Sequence, residues 1–202
     1  MTTLYVTAAQ LKATQSMTTT YADNDVAAAV AAAARAVDNI CQRRFYIDPD
    51  ATSVRYYTPD DPSMLRIDDL VTLTSLVTSS DGVNFDTTWT VNTDFVLEPL
   101  NAQSDSQNQR PYTQAVVHPL GRYQFNYWFP RSVRLTGKFG WPAVPDAIVS
   151  ATGLIAAQLL TASRSAPLGI MAFEGGAIRV ARTNGQAMGL LGPYMLHRSA
   201  VA

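Results

Sequence analysis

Residues 133–145 read Val-Arg-Leu-Thr-Gly-Lys-Phe-Gly-Trp-Pro-Ala-Val-Pro, and the pattern of the chain changes inside them. The first seven alternate. Val133, Leu135, Gly137 and Phe139 fall on one face of an extended strand, with Arg134, Thr136 and Lys138 on the other. Then the period lengthens. Pro145 suits the first turn of a helix, where its missing N–H has no intrahelical partner to lose, and Asp146 sets an anion beside the positive end of the helix. Ile148, Thr152, Ile155 and Leu159 repeat at 4–3–4 spacing, and Ala151, Ala156 and Leu160 widen the stripe. The spacing predicts a strand over 133–139 and a helix from 145 to about 163.

Upstream lies a long block, residues 45–140, in which Pro, Asp, Asn and Thr punctuate short β-branched and aromatic runs. Strands are expected at 54–57, 65–67, 73–78, 88–91, 95–97, 115–117 and 133–139, with Asp81-Gly82 as a hairpin turn. Residues 101–110 are polar and aperiodic, which predicts an exposed loop. Before the block come two helices. Thr7 caps a short one over 8–14. Asp23 or Asn24 caps a long one carrying Val26, Val30, Ala33, Val37, Ile40 and Cys41 on one stripe. Its alanines at 27–29 and 31–34 let another helix approach closely. Beyond 163 the chain is glycine-rich. Residues 177–181 with Asn184-Gly185 read as a hairpin, and 187–191 as a short apolar run before Gly192-Pro193.

The fold class expected is therefore α+β. An α-helical bundle core carries an inserted antiparallel β-rich subdomain and an extended C-terminal tail. The expected divisions are 1–44 for the N-terminal helices, 45–140 for the β insertion, 141–163 for the second long helix and 164–202 for a docking tail. That tail has four arginines against one glutamate, a local +3, while the remainder of the 202-residue chain sums to −4. Flexible backbone with spaced apolar anchors suits a segment that orders on a partner.

Composition narrows the function. Net charge is −1, so the chain is no polycation that coats nucleic acid. One cysteine rules out an intrachain disulfide and fits a reducing compartment. The start shows no secretory pattern, and the apolar run at 147–162 is broken by Ser150, Thr152 and Gln158, so no membrane span is expected. Two separated histidines and Cys41 do not make a zinc set. The acidic pairs Asp48/Asp50, Asp60/Asp61 and Asp68/Asp69 flank prolines or strand ends, where turn-forming aspartates account for them. No catalytic residue, cofactor or metal is expected. Tyr123, Phe125, Tyr127, Trp128 and Phe129, flanked by Arg122 and Arg131, could stack nucleic-acid bases or build a core or a protein interface. A nucleic-acid-binding module using residues 122–131 stands as the alternative function.

Three passages carry a family resemblance. The first is the alanine-rich helix ending in Ile40-Cys41-Gln42-Arg43-Arg44-Phe45-Tyr46. The second is the 133–145 passage. The third is Ile178-Arg179-Val180 with Leu190-Leu191-Gly192-Pro193-Tyr194. Together they resemble the head–tail connector (adaptor) proteins of tailed bacteriophages, in the larger version with a β-rich insertion. The resemblance implies a structural virion protein and not an enzyme. It implies a homo-oligomeric ring, usually twelvefold, beneath the portal protein, joined to a next connector or stopper. Genomic DNA would pass through the lumen without specific binding. The place implied is the head–tail interface of the virion, with assembly in the cytoplasm of the bacterial host. The residues expected to meet partners are Ile178, Arg179, Val180, Arg182, Leu190, Leu191 and Tyr194.

Overall fold

The structure is a computed structural model and describes residues 4–14, 21–50, 52–104, 109–165 and 173–196. The chain forms two compact units. One joins Met1–Phe45 to Val144–Ala202, and the other is Tyr46–Ala143.

The first unit holds, among the described residues, the helices α1 (Ala8–Thr14), α2 (Asp23–Cys41), α3 (Asp146–Ser165), α4 (Phe173–Thr183) and α5 (Gly185–Leu191), closed by a 3-10 turn at Gly192–Tyr194. Thr7 starts α1 through a reciprocal cap. Its hydroxyl accepts the Gln10 N–H at 3.1 Å, and its own N–H donates to Gln10 Oε1 at 2.9 Å. α2 begins differently from expectation. Ala22 occupies the cap position without a side-chain bond, and Asp23 pairs with Lys12 instead. Asp23 and Asp25 still sit in the first turn, where the helix dipole favours them. Val26, Val30, Ala33, Val37 and Cys41 are buried along one stripe, as the 3.6-residue period requires.

That stripe packs against α3 and α4, and α3 also packs on α5. Ile148, Ala151, Ile155, Ala156, Leu159 and Leu160 supply the buried face of α3. Thr152 shares this face, and its hydroxyl donates to the Ile148 carbonyl at 2.7 Å, so burial leaves it satisfied. Over Asp146–Ser163, α3 is long and apolar enough to cross a membrane by length and composition. In this unit, its apolar stripe is spent on the neighbouring helices.

The C-terminal segment departs from expectation. There is no hairpin at 177–185 and no extended tail over 173–194. The segment is helical. Asn184, expected in a turn, is the N-cap of α5, and its side chain accepts the Ala187 N–H at 3.0 Å. Ala177 and Ala181 on α4, and Ala187 and Leu191 on α5, are buried at i, i+4 spacing. The expected tail residues 166–172 and 197–202 lie outside the described residues.

The second unit is an antiparallel sheet of β1 (Ser53–Tyr57), β2 (Met64–Ser79), β3 (Phe85–Trp89), β4 (Phe95–Glu98), β5 (Tyr112–Val117) and β6 (Val133–Phe139). The order is β1-β6-β2-β5-β4, with β3 also on β2. β2 replaces the two strands expected at 65–67 and 73–78. At about 3.3 Å per residue it runs roughly 50 Å. It bends through several register shifts, which lets one strand serve two neighbourhoods. The polar Asp68-Asp69 pair does not end it. Asp68 pairs with Arg55 at 2.8 Å, and Asp69 accepts the Trp141 indole N–H at 2.9 Å.

The 133–145 motif has a steric origin in this sheet. A Cβ on Gly137 would sit 2.4 Å from the Thr72 carbonyl oxygen of β2, so only glycine permits the close strand approach. Gly140 has φ +113, and a Cβ there would meet the Tyr46 carbonyl oxygen at 2.1 Å. The core of this unit collects Leu65, Leu70, Leu76, Trp89, Phe95, Phe125, Leu135 and Phe139. The turn at Asp81-Gly82 joins β2 to β3, and the Asp81 carboxylate accepts the N–H groups of Asn84 and Val83 at 2.7 and 2.9 Å.

Candidate interaction surfaces

The residues expected to meet partners divide into inner and outer sets. Leu191 is buried in the helical unit. Tyr194 is half-buried, its ring edge-on to Phe45 with centroids 5.8 Å apart, and Phe45 meets Tyr5 in the same way at 5.9 Å. Leu196 N–H donates to the Cys41 carbonyl at 3.0 Å, so the chain after α5 is tied to the end of α2. Arg179 and Arg182 are exposed on α4, while Ile178 and Leu190 are half-buried. Val180 lies on α4 as well. A helical register explains the division: the small residues face inward and the arginines outward.

A polar knot holds the helical unit where its first residues meet α2. The Tyr5 hydroxyl donates to Asp38 Oδ1 and accepts the Phe45 N–H at 3.0 Å, and Arg35 pairs with Asp38 Oδ2 at 3.0 Å. Burial pushes the Asp38 carboxyl above the usual carboxylate range, against the opposing pull of Tyr5 and Arg35. Burial likewise raises the Cys41 thiol to about 11, so the thiolate needed of a nucleophile is suppressed near neutral pH.

At least one member of each acidic pair is built into the fold. Arg55 bridges Asp48 at 2.7 Å and Asp68 at 2.8 Å while lying 3.9 Å over the Phe139 ring. Asp61 accepts from Ser63, and His118 Nδ1 accepts the Leu120 N–H at 3.2 Å. Among the described residues, no group of three or more His, Cys, Asp or Glu is placed to hold a metal.

The aromatic segment 122–131 is split in two. Phe125 and Tyr123 stack on Trp89 with centroids 4.6 and 5.3 Å apart, inside the sheet unit. Arg122 lies over Tyr123 and 3.7 Å from buried Asp94, and Arg131 lies over Tyr56. Of the five aromatic rings, Tyr127, Trp128 and Phe129 turn outward. The alternation of apolar and polar residues in the sequence had no means of separating these two sets.

Compared with solved structures, the chain is similar to a protein described as the neck of an empty GTA particle computed with C6 symmetry. Identity is 15%, the alignment covers 98% of this chain and 93% of that one, and the TM-score is 0.54. The chain shares the fold of that neck protein. A second similar structure, the neck of a native GTA particle computed with C12 symmetry, aligns at 17% identity over 96% of this chain and 93% of that one, with a TM-score of 0.47. No protein-family model matches the sequence. No curated protein matches it either. The α+β architecture, helices with an antiparallel sheet, is thus that of a neck-protein fold along almost the whole chain.

Proposed function

We propose that this chain is a structural head-to-tail adaptor of a phage-like particle. It would form a ring beneath the portal, extend the DNA channel and join capsid to tail. The observation that carries this is the likeness over 98% of the chain to a protein of a particle neck. The described chemistry supports it: Asp48 and Asp68 are committed to ion pairs, Asp81 to a turn, and the cysteine is buried. The neighbour's neck was computed with sixfold symmetry. A twelvefold ring contains a sixfold axis, so the subunit count implied by the family resemblance is compatible with it. Many copies around an axis need a head-to-tail contact that closes. The helical unit is the bundle core, and the β-rich unit is inserted into it. Arg179 and Arg182, exposed on α4, are the side chains best placed to meet the portal or the adjacent subunit. Co-sedimentation of the chain with isolated portal rings tests this. Stoichiometric binding to portal rings in the absence of DNA supports an adaptor. Binding only to DNA, lost steeply with salt, overturns it in favour of a nucleic-acid module.

A further inference from the structure

Two features of the sheet unit remain without a role. The first is a protruding apolar knob. Trp128 is 77% exposed, with Tyr127 and Phe129 on either side of it, and Val83 at the tip of the β2–β3 turn is 75% exposed. The knob is held in place. Asn126 accepts the Trp128 N–H at 3.3 Å and donates through its own amide to the Ser80 carbonyl at 3.4 Å, while Ser132 donates to the Asn126 carbonyl at 2.7 Å. The Tyr127 and Trp128 rings lie 4.5 Å apart. A backbone held in place before it meets a partner loses little entropy on docking.

The second feature is a groove in the sheet. β5 pairs with β2 as far as Leu70, and β3 resumes on the same edge at Leu76. Among the described residues, the β2 edge between them has no strand partner. A groove of about 520 Å³ opens there, lined by Leu73, Leu76, Trp89, Val91, Leu97 and Tyr112 together with the polar edge of β2. Gln103 donates to the Val71 carbonyl, which marks that edge as able to hydrogen bond. Trp128 is not among the residues lining the groove of its own chain.

We propose that Trp128 of one copy seats in the β2 groove of the next copy in the ring. This rests on the ring reading given above. Neither surface carries a charge: the groove lining holds no Asp, Glu, Lys or Arg, and neither does the 127–129 knob. The groove lining offers a polyanion no Lys or Arg, whereas an apolar ring with an indole N–H finds apolar walls and a backbone edge there. Knob and groove are different patches, which is what a head-to-tail contact repeating around an axis requires. A buried tryptophan in a pocket is a usual centre of binding energy.

The native fluorescence reports the contact. Of the three tryptophans, Trp89 and Trp141 are buried, and Trp128 is exposed. In the full chain, acrylamide quenching should fall as protein concentration drives assembly in sedimentation velocity. Trp128→Ala should raise the assembly dissociation constant at least about tenfold. The double variant Phe129→Cys with Thr74→Cys, which keeps Trp128 and places thiols beside the knob and on the groove edge, should give a disulfide-linked ladder that neither single variant gives. Rings without a ladder overturn the contact and leave the ring reading intact. A ladder of open oligomers without closed rings keeps the contact and overturns the ring. Neither rings nor ladder overturns both. Protection of Trp128 by an added oligonucleotide, and not by the chain itself, overturns the proposal.

Discussion

Ile155 on α3 is fully buried in the helical unit, and replacing it with alanine should lower the stability of that unit by about 3–4 kcal/mol. The series of large-to-small core substitutions gives about 2–5 kcal/mol for Ile→Ala, the spread reflecting how far the site collapses. Here collapse is restricted. α3 packs against α2, whose facing stripe includes Ala29 and Ala33, so the helices already approach through small residues. A cavity therefore remains. A unit of roughly 100 residues loses about 4–8 °C for each kcal/mol, so the midpoint should fall by about 12–30 °C. All described α-helices belong to this unit, so far-ultraviolet ellipticity in the helical band follows it. Ile155→Val should cost only about 1 kcal/mol. An alanine variant that melts within about 2 °C of the parent, against that expected shift, would refute the packing of α3 stated above.

Three further outcomes follow from the geometry. The Asp81 carboxyl is held below its usual range, chiefly by the Asn84 and then the Val83 N–H groups. Its folded pKa lies below the unfolded value of about 3.9, so its stabilisation is present above that pH and is lost as pH falls. Asp81→Ala should thus flatten the acid limb of a stability-versus-pH curve, and an unchanged limb would contradict the cap. Cys41 is buried with its thiol raised to about 11, so it should resist an aromatic disulfide reagent at about pH 8 until denaturant is added; rapid labelling of the native chain would contradict this. Arg179→Glu with Arg182→Glu should leave melting within about 0.5 kcal/mol of the parent, since both side chains are exposed, yet weaken binding to portal rings. Undiminished binding would remove α4 from the docking surface.

The elements legible in the sequence are those whose period is clean. The strand at Val133–Phe139 and the short helix at Ala8–Thr14 have the bounds that alternation and the Thr7 cap imply. The C-terminal helices were not legible because glycine hid them. Asn184-Gly185 has the composition of a tight turn, and only the buried i, i+4 pairs Ala177/Ala181 and Ala187/Leu191 reveal the helical period. Alanine is too weakly apolar to announce that stripe. This changes how the segment can be tested. Deleting residues 176–202 would strip buried side chains from the helical unit, so loss of docking would be ambiguous, whereas exposed arginines can be reversed without touching the core. Asp68-Asp69 interrupts the apolar run of β2 and divides it into two strand-like patterns in the sequence. Its continuity depends on long-range partners, Arg55 and Trp141, that no local window contains. The outward turn of Trp128 is likewise a tertiary fact. The same aromatic run supplies Phe125 to the core and Trp128 to solvent.

Electron microscopy of the purified chain, alone and mixed with portal rings, is the sharpest test of the proposed ring-forming adaptor. Closed rings with an open centre, stacked coaxially on the portal when both are present, are the expected result. Monomers that remain dispersed and leave the portal bare would contradict it.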